Sequence, residues 1–566
     1  MKTGKRILII GGVACGPKAA ARARRCDPDA RITIVEQGSL ISYASCGLPY
    51  YVSGTIQRRG ALLVRSAQDF ANISEIDVLL ATRADEIDRS AHSVRVTNMV
   101  TGERSALEYD KLVIATGANA VMPRIEGRDL RGIYPLKNVP DADLMLAQIT
   151  GGAVKKVVIV GAGLIGIEMC DVLVSRGLQV TVVEAMDRVL PGALDEEIAS
   201  PLGRYLARKG VDLRLGERVV RFEGQEGKVQ RVVTDSRAVD ADIVVVAVGV
   251  RPNVELARQA GLLLGPTGAI AVTDAMLTND PDIYAGGDCT ENTHLVTGAK
   301  VFMPMGSTAN KHGRIIGTNV TGGHETFPGV AGTTVVKAMG YHVGRTGLGE
   351  KDARDAGFDV VTALVGGTDR PNYYPGSRDM ILKLIADRNT GRVLGGQATG
   401  WGEVVKRIDV LATAITMGST LDNLANLDLG YAPPYNSPID LLEQAANVIK
   451  NKLDGRADGL TPAQLKTELD SKEDFVLLDV RSQREWDTWR LDDPRARLVP
   501  QNALLQKLGE LPRDRRIVTF CRGGTRAYQA ALTLRSAGFE GVRFTEGSML
   551  AWPYDCFGGE KEPGSS

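Results

Sequence analysis

Short apolar runs that end in glycines set the pattern of this chain. Arg6–Ile10 runs Ile-Leu-Ile-Ile without polar alternation, which predicts a parallel strand buried on both faces. It opens into Gly11-Gly12-Val13-Ala14-Cys15-Gly16, and the Ala/Arg-rich stretch Lys18 to Arg25 predicts a helix. A second strand, Arg31 to Val35, ends at Glu36. The order then repeats. Val157–Val160 leads to Gly161-Ala-Gly163-Leu-Ile-Gly166, a helix through Leu173, and a strand Val180–Val183 ending at Glu184. Further strands close on glycine turns at Thr116-Gly117, at Gly249 and at Gly286-Gly287-Asp288. Near the end, Thr461-Pro462-Ala-Gln464 has the residues of a capped helix start, and Phe475–Val480 reads as a buried strand. Arg516–Phe520 is another strand, followed by Cys521-Arg-Gly-Gly-Thr-Arg526 and a predicted helix, Ala527 to Ala537.

Strand, glycine turn, helix, strand and acidic end make a dinucleotide-binding unit. The turn aims backbone N–H groups and a helix N-terminus at a pyrophosphate, and the carboxylate accepts from a ribose hydroxyl. In the first copy Val13 stands where the middle glycine is usual. The second copy has all three glycines, and Glu184 would repel a 2′-phosphate, favouring NADH over NADPH. One such fingerprint is weak evidence; two, each with its acid, are strong.

The 566 residues predict three or four domains at roughly 100–200 residues each. Acidic and basic residues balance at 68 each, so charge gives no argument for nucleic acid or an anionic membrane as partner. The seven cysteines show no paired spacing, and no disulfide framework or metal is expected. A short basic lead reaching glycines at once is not a signal peptide, and no apolar run is long enough for a bilayer; a cytoplasmic protein is expected.

Within this frame Ser42-Tyr-Ala-Ser-Cys46-Gly-Leu-Pro-Tyr-Tyr51 stands out. Cys46 has no second cysteine four or five residues away, and the Gly and Pro after it predict a tight turn. An unpaired cysteine is usually a small buried apolar residue. Its neighbours argue otherwise. Over about residues 1–450 the order of motifs resembles the two-dinucleotide-fold pyridine nucleotide-disulfide oxidoreductases. The resemblance implies that Gly11, Gly12, Gly16, Glu36 and Asp288 hold FAD, and that Gly161, Gly163, Gly166 and Glu184 hold NADH. Ile41 stands where a second redox cysteine would lie, and the Cys46 run is similar to the coenzyme A-disulfide reductase and NADH oxidase branch. Ser45 replaces an asparagine expected before the cysteine. In that branch arginines on the first helix serve coenzyme A, which points to Arg22 and Arg25, with Ser42 also at the substrate. A solvated basic helix face is the bland reading of the same arginines. Cys15, in the phosphate turn, reads as packing. The stretch from Thr326 to Lys450 resembles the family's α+β dimerisation domain. Its Asn372-Tyr373-Tyr374-Pro375-Gly376 and Tyr431-Ala-Pro-Pro-Tyr435 clusters imply that Tyr373 and Tyr431 reach the active cysteine of a homodimer partner. Core or interface tyrosines are the alternative.

Residues 451–460 are polar with two glycines and read as a linker able to permit some movement. Beyond it, Cys521 between a strand and a helix N-terminus faces converging N–H groups, with Arg522 and Arg526 adjacent. That arrangement favours thiolate chemistry and anion binding. Residues 461–566 resemble a rhodanese domain, although Trp489-Arg490-Leu491 replaces the Gly-His-Ile expected after Glu485. The expected fold is α/β: two Rossmann-like domains (FAD, 1–120 and 250–325; NADH, 121–249), an α+β dimerisation domain (326–450), the linker and a C-terminal α/β rhodanese domain. The expected activity is NADH-dependent reduction of coenzyme A persulfide, polysulfide or coenzyme A disulfide through Cys46, with small-molecule sulfur substrates and no nucleic acid or membrane partner. The alternatives are an NADH oxidase cycling a sulfenic acid at Cys46, and a redox-sensing flavoprotein.

Overall fold

The computed structural model describes residues 4–471 and 473–558, so the first three residues of the predicted lead and the last part of the 461–566 domain, 559–566, lie outside the described residues. Contacts divide the chain into two compact units: residues up to Ala185 with Glu217–Val330, and Met186–Gly216 with Ala331 onward.

In the first unit the chain makes β1 (Arg6–Ile10), α1 (Cys15–Cys26), β2 (Arg31–Val35), β3 (Ile76–Leu79) and β4 (Lys111–Ile114). It continues through β5 (Lys156–Val160), α2 (Leu164–Ser175), β6 (Gln179–Glu184), β7 (Ile243–Val246), β8 (Ile283–Ala285) and α3 (Gly306–Asn319). Two parallel sheets result. One has the order β8-β4-β1-β2-β3, and in the other β5 lies between β6 and β7. The central strands β1 and β5 are buried at four of five positions, as an apolar run without alternation requires. Helix α1 starts at Cys15, inside the glycine turn and three residues before the predicted start.

Helices α1 and α3 pack backbone against backbone. A Cβ placed on Gly313 would lie 2.4 Å from the Cys15 carbonyl oxygen, and one on Gly317 2.5 Å from that of Ala19. Only glycine at these two positions lets the helices approach so closely.

The second unit holds an antiparallel sheet of β9 (Thr334–Ala338), β10 (Tyr341–Gly347), β11 (Val360–Thr368), β12 (Asp379–Asp387) and β13 (Val393–Gly400), in the order β9-β10-β13-β12-β11. Helices α4 (Val404–Thr416) and α5 (Leu441–Leu453) follow. Then come β14 (Gly459–Leu460), β15 (Phe475–Asp479), β16 (Ala496–Leu498), β17 (Arg516–Phe520), α6 (Thr525–Ser536) and β18 (Arg543–Thr545), forming a parallel sheet ordered β14-β18-β17-β15-β16. Thr461 caps the helix Pro462–Asp470 with the reciprocal box its sequence predicts.

The linker expected at 451–460 is largely absorbed into structure. Helix α5 continues to Leu453, and β14 begins pairing with β18 at Gly459. Glu546 then joins the two sheets: its Oε2 accepts from the Leu364 N–H on β11 at 2.9 Å, and its Oε1 pairs with Lys452 on α5. A buried carboxylate, hydrogen-bonded through one oxygen and ion-paired through the other, holds the parallel sheet against the antiparallel one, which the polar composition of the connection does not reveal.

Candidate functional site

At the first glycine turn, Gly11 adopts φ +111°, a conformation open to glycine. A Cβ on Gly16 would sit 1.9 Å from the Gly11 carbonyl oxygen, so helix and strand meet here only without a side chain. Glu36 Oε2 accepts from the Gly12 N–H at 2.7 Å and Oε1 from the Gly38 N–H at 2.7 Å, which poises the carboxylate over the turn. After β8, Asp288 Oδ1 is buried without a hydrogen-bond partner, and Lys137 Nζ stands 4.0 Å from Oδ2. Burial pushes the Asp288 carboxyl up, with Lys137 opposing. A buried acceptor lacking a donor beside a glycine cradle suits a hydroxylated, phosphate-bearing group, so the residues present fit FAD.

The second turn repeats the geometry. Gly161 has φ +101°, a Cβ on Gly166 would meet the Gly161 carbonyl oxygen at 2.1 Å, and Glu184 Oε2 accepts from the Ala162 N–H at 2.8 Å. Gly163 is the residue before α2 and caps it without a side chain.

Cys46 lies in a short 3-10 turn, Ser45–Gly47, that runs into the helix Leu48–Ser53. The thiol is exposed and all seven cysteines are free. Ser42, at φ +51°, ties this segment to the first glycine turn: its N–H donates to the Gly12 carbonyl at 2.7 Å and its carbonyl accepts from the Val64 N–H at 2.8 Å. On the other side α3 begins at the sulfur, since a Cβ on Gly306 would be 3.6 Å from Cys46 Sγ. The thiol therefore stands at the start of α3, in a segment tied to the dinucleotide turn through Ser42.

Other predicted positions fall differently. Arg22 is engaged by Thr318 Oγ1 at 2.9 Å and by Glu325 at 3.4 Å, so it already has partners on and beyond α3, while Arg25 is exposed. Burial pushes the Cys15 thiol well up, in keeping with a packing role. Tyr373 and Tyr431 come together on the second unit: both are exposed, and their mutual hydrogen bond raises the Tyr373 phenol.

Cys521 directly follows β17, and its sulfur accepts from the Gly524 N–H at 3.1 Å. Ser548 Oγ lies 3.8 Å from the same sulfur and accepts from the Cys521 N–H at 3.3 Å. The thiol is buried. Arg522 and Arg526, expected to face an anionic substrate, are each held in a two-pronged ion pair, with Asp379 and Glu485 respectively. Cys46 and Cys521 belong to different compact units.

Three residues escaped the sequence reading. His312 on α3 accepts from the Gly287 N–H at Nδ1, 3.2 Å, while its Nε2 is buried without a partner; burial lowers this imidazole to about 4 and keeps it neutral. Lys137 beside Asp288, and Ser548 beside Cys521, also lack any sequence signal, because each is brought in from far along the chain.

Comparison with known proteins identifies related families and chains. Residues 5–304 match the family model described as pyridine nucleotide-disulphide oxidoreductase, 333–441 its dimerisation domain, and 461–554 a rhodanese-like domain. A relative named NAD(P)H sulfur oxidoreductase (CoA-dependent), from Pyrococcus abyssi, is 39% identical over 450 residues, 80% of this chain and 99% of that protein. The solved NAD-dependent persulfide reductase from A. fulgidus superposes with a TM-score of 0.92 at 44% identity, covering 97% of this chain and 100% of that one. A Bacillus anthracis structure described as reduced CoADR-RHD gives a TM-score of 0.91 at 32% identity, over 97% and 98% of the two chains.

Proposed function

This chain belongs to the pyridine nucleotide-disulphide oxidoreductases and carries a rhodanese-like domain, and from that premise we propose that it reduces coenzyme A persulfide, polysulfide or coenzyme A disulfide with NADH through Cys46. The observation that carries the reading is the placement of one free, exposed thiol between the first glycine turn and the start of α3. Bound at the first cradle, FAD supplies the two-electron relay between NADH and the Cys46 sulfur. Gly11, Gly12, Gly16, Glu36 and Asp288 would hold it, with Gly161, Gly163, Gly166 and Glu184 holding NADH. The Cys46 thiolate attacks the inner sulfur of a coenzyme A persulfide; the donor S–S bond breaks, a Cys46–coenzyme A disulfide forms, and hydrosulfide leaves. Two electrons originating in NADH then cleave that disulfide, returning the Cys46 thiolate and releasing coenzyme A thiol. The sum is CoA–S–SH + NADH + H⁺ → CoA–SH + H₂S + NAD⁺. Arg25 and Ser42 are assigned to the coenzyme A moiety. Arg22 joins them if it exchanges Glu325 for a phosphate. Cys521 carries sulfane sulfur as a persulfide.

The reading includes a cytoplasmic homodimer in which Tyr373 and Tyr431 act at the partner's Cys46. What supports this is the match to a dimerisation domain, the pairing of two exposed tyrosines on that domain, and the finding that no helix among the described residues is long and apolar enough to cross a membrane.

The test is anaerobic stopped-flow on parent and Cys46→Ser. Both should bind FAD and be bleached by NADH, but only the parent should be reoxidised by coenzyme A persulfide. Persulfide turnover by Cys46→Ser near the parent rate would make Cys46 structural. Reoxidation of the parent by oxygen far faster than by persulfide would favour the oxidase reading instead.

A further inference from the structure

The loop around Cys521 has two arginines, and the fold has bound both before any substrate arrives. Arg522 forks onto Asp379, with Nη1–Oδ1 at 2.7 Å and Nη2–Oδ2 at 2.6 Å. Arg526 forks onto Glu485 at 2.9 and 2.6 Å. Glu485 belongs to the same small domain, but Asp379 does not. It opens β12, in the segment that matches the dimerisation domain, 143 residues before its partner. Next to Arg522 the contact becomes backbone to backbone: the Gly366 N–H on β11 donates to the Gly523 carbonyl at 3.0 Å. A Cβ on Gly523 would lie 2.3 Å from the Gly366 carbonyl oxygen, so this approach excludes side chains. The two-pronged pair occupies the planar edge with which a guanidinium would otherwise grip an anion, and it cancels the charge. The groups in direct contact with the thiol are a backbone N–H and a serine hydroxyl, and Arg526, which interacts with the sulfur through its charge, is already paired with Glu485.

We propose that Asp379 is a specificity-determining residue for the Cys521 site. By holding Arg522 it withholds the cation that a small dianionic donor such as thiosulfate needs. The site is left to sulfane sulfur carried on a long neutral arm, as a persulfide R–S–SH whose charges lie far from the reacting end. This rests on the reading of Cys521 as a sulfur carrier. In the step, the Cys521 thiolate attacks the terminal sulfur of R–S–SH. A Cys521 S–S bond forms, the donor S–S bond breaks, and R–S⁻ leaves with the electron pair and takes a proton from water. No external oxidant is consumed.

The experiment uses the full-length holoenzyme and Asp379→Asn, a near-isosteric change that removes the carboxylate charge. Sulfur transfer from thiosulfate to cyanide should gain roughly ten- to a hundredfold in kcat/KM, the range for one charge-assisted hydrogen bond. Loading of Cys521 from coenzyme A persulfide, whose phosphates lie at the far end of a neutral arm, read as one added sulfur atom by intact mass, should stay within about threefold. Adding Arg522→Ala to Asp379→Asn should cancel the gain. Arg522→Ala alone should leave persulfide loading within the same limit, and this second variant needs no released arginine to be informative. An unchanged thiosulfate efficiency in Asp379→Asn, with persulfide loading intact, overturns the inference and leaves the sulfur-carrier reading standing. A gain that survives Arg522→Ala also overturns it, because an opened loop and not a freed charge would be responsible. A parent Cys521 that takes sulfur from neither donor removes the reading on which the inference rests.

Discussion

Gly317→Ala tests how closely the two helices that serve Cys46 must pack. Helix α1 carries Gly16 of the first turn, and α3 begins at the Cys46 sulfur, so their spacing sets the thiol against the glycine cradle. A Cβ on Gly317 would meet the Ala19 carbonyl oxygen at 2.5 Å, Arg22 Cβ at 2.6 Å and the Ala23 nitrogen at 3.0 Å. Two of these three atoms are backbone and cannot swing aside. Non-bonded carbon contacts lie at about 3.5–4.0 Å, so the helices must part by about 1 Å. Overpacking of this kind costs about 1–3 kcal/mol. Alanine's better helix propensity returns up to about 1 kcal/mol, leaving a net loss of about 1–2 kcal/mol. The melting temperature of this unit should fall by about 2–6 °C, read by the rise in flavin fluorescence on release. The kcat for persulfide should fall while the KM for NADH holds, because the second cradle is not displaced. Gly60→Ala is the control: a Cβ there meets nothing within 4 Å. If Gly317→Ala melts with Gly60→Ala and turns over at the parent rate, the close approach of α1 and α3 does not position the site.

Two further outcomes follow from the acids. Glu184→Ala should reduce the preference for NADH over NADPH by roughly tenfold in kcat/KM, since the carboxylate that would bind a diol and repel a phosphate is gone; a parent enzyme that favours NADPH sinks this assignment. Glu485 is held down at about 2 by its hydrogen bonds from Arg526, against burial, with Ser482 adding to the effect. Its folded value lies below the usual carboxylate value, so the stability it confers is present above about pH 4.5 and lost as pH falls toward 2. Glu485→Gln should cost at most about 1 kcal/mol at pH 7, since solvent screens a pair whose side chains are 34% and 30% exposed, and the difference from parent in urea melts should vanish near pH 2. A difference independent of pH would mean that packing, not charge, is lost.

What the chain determines by itself is local. The turns Gly11–Gly16 and Gly161–Gly166, the acids Glu36 and Glu184 at the ends of the following strands, and the box at Thr461 all act within about two dozen residues. Their geometry follows from φ angles and hydrogen bonds that the residue types dictate wherever the segment lies, so the spacing in the sequence already sets the local geometry. Cys46 is legible for the same reason, as a lone thiol in a turn. The tertiary structure decides which distant surface meets each of these pieces. The sequence shows two arginines after Cys521 but not that carboxylates of Asp379 and Glu485 already hold them. It shows a polar connection at 451–460 but not that Glu546 joins β11 and Lys452 across it. Nor does it show that His312 lies under Gly287, or that Gly306 abuts the Cys46 sulfur. A charge reads the same in sequence whether water or an opposite charge faces it. Only packing, which excludes the water and brings in one particular partner, decides whether an arginine is a substrate ligand or part of the wall.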